Sequence, residues 1–175
     1  MPEVTLAEVG DFVSMSMDWR LSEVISLRDI FRFGIFHDRG TAVEADQTGS
    51  TNVVDDVGYF ATLASGNPAA GSRDCRIARA GPPNSAAGTL FGLDEGLLDD
   101  ETSPYVTNDM NAHTLSITIV RVAVDRVRID VTYDGNLALT AEDTSDANAP
   151  IVTSYNQVAM GGVGGVSGAF IDYVI

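Results

Sequence analysis

The sequence predicts an all-β domain, a two-sheet antiparallel β-sandwich or jelly roll of roughly ten to twelve short strands. Apolar and polar residues alternate with period two in one run after another, while the 3.6-residue period of an amphipathic helix is almost absent. The acidic residues are 18 Asp against 7 Glu, a bias toward the residue that serves turns and caps. Gly, Pro, Asn and Asp cluster between the alternating runs, as turn chemistry requires.

Taken along the chain, the first run is Val13 to Arg20, where Val13, Met15, Met17 and Trp19 alternate with Ser14, Ser16, Asp18 and Arg20. A strand sends these two sets to opposite faces, so Trp19 is expected in the core with Val13, Met15 and Met17. Phe31 to Phe36 places Phe31, Phe33 and Ile35 on one side and Arg32, Gly34 and Phe36 on the other. Gly58 to Ala64 and Cys75 to Ala80 are shorter runs of the same kind. From His113 to Glu142 three antiparallel strands are expected: Leu115–Ile119, then Val127–Tyr133 after a turn at Val124 and Asp125, then Leu137–Ala141 after Asp134-Gly135. Asp-Gly supplies the positive φ of a tight hairpin. Two more strands are expected at Ser154–Met160 and Ala169–Ile175, joined by a flexible glycine-rich turn over Gly161–Gly168.

Thr41–Val57, Gly81–Ser103 and Asp143–Pro150 read as loops, the second with room for one short helical turn in LDEGLLDDE. No repeat or composition shift divides the chain, so residues 1–175 are read as one domain.

Composition excludes several classes. A chain 45% hydrophobic and 20% charged is neither disordered nor collagen-like. No stretch approaches the ~20 apolar residues of a membrane helix, so membrane insertion is not expected. Ten Arg, no Lys and 25 acidic residues leave a net charge of −15, which repels nucleic acid. The single Cys75 has no disulfide partner and no neighbouring Cys/His set for zinc, so it reads as a small buried thiol.

The pieces TLAEVGDFVSMSMDWRL, FRFGIFHDRGT, GYFATLASG, HTLSITIVR, VRIDVTYDGN, YNQVAMG and AFIDYVI, in that order, resemble the concanavalin A-like lectin/glucanase superfamily. Within it they look like the LamG-like domains of large secreted bacterial proteins. The resemblance covers nearly the whole chain. It implies two stacked, curved sheets with glycan contacts on the concave face or its rim loops.

Enzymes of that superfamily differ from this chain where their chemistry sits. Laminarinase-like and agarase-like hydrolases carry ExDxxE or ExDxE on one strand, so that the carboxylates share a face. Here Glu44 and Asp46 come nearest, and the series stops at Gln47-Thr48-Gly49. Alginate-lyase-like members have a strand resembling YFKAGVY with a catalytic Tyr, where this chain has FRFGIFH. Phe36 stands in place of the hydroxyl and transfers no proton. There is no GxSxG nucleophile elbow either.

The candidate ligand face is therefore Arg32 with Phe36 as an apolar platform, His37 beside them, and Arg76. The bland alternative is Arg32 paired with an acid and Phe36 buried. Arg76 and Arg79 lie on alternate faces of CRIARA, so at most one joins Arg32. Neither His37 nor His113 has neighbours spaced for a transition metal. For calcium, the resemblance implies a ligand at Asp172 in the terminal DYV strand, with Glu3 as a further donor; the alternative is a carboxylate that caps a neighbouring strand. Asp94, Glu95, Asp99, Asp100 and Glu101 read as a solvated acidic loop.

The expectation is a non-catalytic carbohydrate-binding or adhesion module whose partner is a polysaccharide or glycan. The alternative is a structural subunit of an extracellular assembly, whose partners are like subunits. A lyase or hydrolase with unfamiliar catalytic residues comes last. Met1 is not followed by the basic-then-apolar layout of a signal peptide, and the resemblance implies a domain of a longer exported protein, secreted or at the cell surface.

Overall fold

The computed structural model describes residues 1–20, 30–40, 56–64, 75–81, 96–101, 109–145 and 150–163. Eleven strands and no helix lie among them: β1 (Val4–Thr5), β2 (Phe12–Trp19), β3 (Ile30–His37), β4 (Val57–Ala64), β5 (Cys75–Ala80), β6 (Leu97–Glu101), β7 (His113–Ala123), β8 (Arg126–Tyr133), β9 (Asn136–Thr144), β10 (Ser154–Tyr155) and β11 (Gln157–Val163). A five-stranded sheet runs β11-β3-β4-β5-β6, a four-stranded sheet runs β2-β7-β8-β9, and β1 pairs with β10. Every pairing is antiparallel.

The alternating residues meet between the sheets. Phe31, Phe33 and Ile35 of β3, Tyr59, Ala61 and Leu63 of β4, and Cys75 and Ile77 of β5 face Val13, Met17 and Trp19 of β2 and the Leu115, Ile117, Ile119, Val127, Ile129 and Val131 of β7 and β8. Trp19 stacks on Phe31 across the layer, centroids 5.7 Å apart, so the core reading of Trp19 holds. Met15 is only partly buried against this cluster. The hairpin between β8 and β9 turns on Asp134 (φ 49°) and Gly135 (φ 75°), as the Asp-Gly pair required.

Three expectations about elements are corrected. The acidic run read as loop or helical turn forms β6, because the edge of β5 gives its backbone a ladder; Cys75, Arg76 and Ile77 register with Glu101, Asp100 and Asp99. The strand expected over Ser154–Met160 is interrupted at Asn156. There the backbone N–H bonds to the Phe36 carbonyl (2.9 Å), and the side chain exchanges hydrogen bonds with Asp38 (3.0 and 2.8 Å). The glycine run does not begin the turn, since β11 continues to Val163 opposite Ile30. The strand expected over Ala169–Ile175 lies outside the described residues.

A fourth correction concerns Phe36. Strand parity is right, for Phe36 points away from Phe31, Phe33 and Ile35, but its ring is fully buried and is not an open platform. It belongs to a second apolar cluster with Phe60, Ala78 and Ala80, and Ala159 packs against it. Cross-strand register explains the packing: Phe36 faces Gly58, and Phe60 faces Gly34. The two rings stack at 6.5 Å and 26° over these glycines. A Cβ on Gly34 would stand 2.6 Å from Phe60 Cβ and 2.7 Å from Phe36 Cζ. Glycine is needed because the ring occupies the space of the missing side chain.

One end of the four-stranded sheet is pinned by His113. Its Nδ1 bonds Asp134 Oδ2 (2.8 Å) and its Nε2 bonds Asp109 Oδ1 (2.9 Å), while the ring lies between Trp19 and Tyr133. Burial acts against the charged ring, but the hydrogen bonds and charges of Asp134 and Asp109 outweigh it and raise the His113 pKa. The Asp134 pKa is lowered by the Thr114 backbone N–H and by His113; that of Asp109 is lowered by His113 and the Asn111 backbone N–H.

Two outcomes follow from this packing. Phe36→Ala should lower the unfolding free energy by about 3–5 kcal/mol in urea titrations, the range for emptying a buried aromatic site. For His113, whose folded pKa is raised, the stabilisation is complete below about pH 6.5 and is lost as pH rises through the folded value. The two depressed carboxylates contribute above about pH 3.9 and lose their contribution as pH falls through their folded values. Melting temperature should therefore decline above neutral pH in the wild type. In His113→Gln that decline should flatten, and an unchanged slope would remove the imidazolium from the account.

Candidate functional site

Four predicted ligand residues lie on or near the five-stranded sheet. Arg32, Thr62 and Arg76 stand side by side on β3, β4 and β5, on the same outward face as Phe36, while Arg79 is on the other side. Arg32 is only 6% exposed. Burial, and then the charge of Arg76, pull its guanidinium below the ordinary arginine value. Arg32 and Phe36 thus lie buried on one face, with the partly exposed Arg76 near Arg32. With its ring buried, Phe36 offers no stacking surface to a ligand.

His37 is not with them. It has the parity of Ile35, ends β3, and turns toward an open cleft of about 450 Å³. The cleft is lined by His37, Arg39, Val57 and Arg79 on the sheet side and by residues 150–154 opposite. Its size lies within the range of small-molecule sites.

The sheet-side rim is a tight turn. Arg39 has φ 48° and Gly40 φ 92°, left-handed conformations that side chains other than those of Gly, Asn and Asp rarely adopt. Three hydrogen bonds hold it: Arg39 N–H to His37 Nδ1 (2.9 Å), Gly40 N–H to Asp38 Oδ1 (2.9 Å) and Asp38 N–H to Asn156 Oδ1 (3.0 Å). Asn156 Nδ2 also donates to Asp38 Oδ1 (2.8 Å), and this bond leads the causes that lower the Asp38 pKa.

Behind the lining residues Arg79, Pro150 and Val152 is a buried polar network. The Tyr59 hydroxyl donates to Asp143 Oδ2 (2.6 Å) and accepts the Val152 N–H (3.1 Å). Arg79 reaches Asp143 with Nη1 (3.4 Å) and the Pro150 carbonyl with Nη2 (2.5 Å), and the Tyr155 hydroxyl donates to the Val152 carbonyl (2.6 Å). Burial, the neighbouring Tyr155 and Asp143 push the Tyr59 pKa far up, and burial with Asp143 does the same for Tyr155. Both phenols stay neutral donors. The network gives the cleft fixed walls and so lowers the ordering cost of binding there.

Glu3, the expected calcium donor, stands 3.7 Å from His37 Nε2. Among the described residues no group of three His, Cys, Asp or Glu side chains converges as a metal site, and Glu3 offers one carboxylate where calcium takes about six to eight oxygens. Asp172 lies outside the described residues. Sequence reading missed Arg39, Arg79 and residues 150–154 as a group. The Asp-Arg-Gly turn at 38–40 carried a local signal; the approach of residues 150–154 carried none.

No protein-family model matches the chain, and no curated protein matches it significantly. Among solved structures it is similar to the crystal structure of the Emp46p carbohydrate recognition domain in its metal-free form, with a TM-score of 0.50 and 12% identity. The match covers 91% of this chain and 66% of that one. The likeness is one of fold, and with the two antiparallel sheets it makes this chain a concanavalin A-like β-sandwich.

Proposed function

We propose that this chain is a non-catalytic carbohydrate-binding module that takes its saccharide in the cleft between His37, Arg39, Arg79 and residues 150–154. The cleft carries the proposal. It combines an apolar wall of Val57, Pro150, Ile151 and Val152 with the hydroxyls of Thr153 and Ser154 and with nitrogen donors. A sugar presents the same mixture of C–H faces and hydroxyls, and placed polar groups beside an apolar wall set orientation. A similar fold in a protein described as a carbohydrate recognition domain supports the reading. Its extension to a LamG-like, exported or surface protein with calcium at Asp172 rests on the sequence resemblance.

A glycan array followed by titration of the hits tests the site. Wild type should bind at least one saccharide; Thr153→Trp, which fills the cleft, should abolish binding, and Arg76→Ala, on the opposite face from the cleft, should leave it within about threefold. Loss in Arg76→Ala with retention in Thr153→Trp would move the site to the outer face. No binding to any glycan, with concentration-dependent association by light scattering, would favour the assembly subunit. For calcium, the expected result is a rise in melting temperature that Asp172→Asn abolishes.

A further inference from the structure

Building on the reading of the cleft as a saccharide site, we propose that the saccharide is acidic, and that Arg39 reads its carboxylate or sulfate group. The charges of the cleft support this. Two of its three basic side chains are already answered: His37 by Glu3 at 3.7 Å, and Arg79 by Asp143 and the Pro150 carbonyl. Arg39 is exposed, and among the described residues its guanidinium makes no ion pair. The adjacent acid, Asp38, is engaged by Asn156 and the Gly40 N–H in holding the turn. In a chain with 25 acidic residues to ten Arg, an unanswered cation at the rim of a cleft runs against composition.

The backbone adds a second argument. The turn places an arginine at φ 48°, where Gly or Asn would sit with less strain. Hydrogen bonds on both sides of Arg39 fix where its side chain starts, so the guanidinium is presented from a rigid base. The lining supplies the third. Among the described residues no Phe, Tyr or Trp lines the cleft, so a neutral sugar meets no broad ring there to stack on. Without such a ring the hydrogen bonds carry more of the recognition, and those to an ionised partner are roughly twice as strong as neutral ones. The planar guanidinium matches a carboxylate or a sulfate edge bidentately, while the Thr153 hydroxyl takes a sugar hydroxyl.

The test is calorimetric titration of the 175-residue chain with a galacturonic acid trimer and its methyl ester, and with a sulfated galactose oligomer and its desulfated form. At least one acidic oligomer should bind about tenfold or more tightly than its neutral counterpart, and whether one or both do tells a carboxylate from a sulfate reader. Arg39→Gly and Arg39→Asn suit the positive φ, so both should melt at or above the wild-type temperature while losing that discrimination. Arg39→Gly with undiminished preference for the acidic oligomer would overturn the proposal. Equal binding of acidic and neutral forms would overturn it too, leaving the cleft as a neutral-sugar site. If no saccharide of any charge binds, the reading of the cleft fails first and this inference with it.

Discussion

Asp143 sits at the seam between the two sheets, 7% exposed, and the way its charge is answered sets how the sheets meet. A buried carboxylate is tolerated only when it is paired and hydrogen-bonded. Here the donors come from the opposite sheet, Tyr59 of β4 and Arg79 of β5, while Asp143 belongs to β9. Apolar packing between sheets is non-directional and tolerates small sliding; a charge with two donors at fixed positions does not. The same groups carry the clamp outward. The Tyr59 hydroxyl holds the Val152 N–H and Arg79 holds the Pro150 carbonyl, so residues 150–155 are drawn over the end of the sheet. The wall of the cleft is thus a consequence of how one buried charge is satisfied.

The five-stranded sheet carries a buried apolar cluster on each face. Its inner face is the main core, and its outer face carries Phe36 and Phe60 laid over Gly58 and Gly34, with small alanines beside them. Closing both faces of central strands is what allows Arg32 to be buried there, close enough to Arg76 for the two like charges to interact. The cleft proposed for binding lies instead at the ends of the strands, where the chain turns and backbone groups meet water.

At that end the turn after β3 and the break at Asn156 form one unit. Asn156 gives up a continuous strand to bond Phe36 and Asp38, and Asp38 in turn holds the backbone on which Arg39 sits. A local interruption in β10–β11 and a strained residue at the cleft rim therefore share one set of hydrogen bonds. The His113 cluster at the end of β7 is a separate device, two carboxylates on one imidazole, and it secures the hairpin of β8 and β9 through Asp134.

The sequence by itself determined the class of the fold, the strands β2, β3, β4, β5, β7, β8 and β9, the Asp134-Gly135 turn, and the partition of each strand into two sides. It placed Arg32 and Phe36 on a common side and Arg76 and Arg79 on opposite sides, because side chains along a strand alternate whatever surrounds them; the register of β3, β4 and β5 decided that Arg76 joins Arg32. Parity names the side and is silent about what that side meets. Phe36 was open or buried depending on glycines across the strand pair, and the acidic run at Leu97–Glu101 was loop or strand depending on a free edge at β5. The cleft lies furthest from local sequence: His37, Arg39, Val57, Arg79 and residues 150–154 meet only because strand pairing and the Asp143 network bring distant segments together. Local periodicity is written in neighbouring residues, whereas burial, edge pairing and concavity are properties of contacts between residues far apart in the chain, and only the tertiary structure decides those.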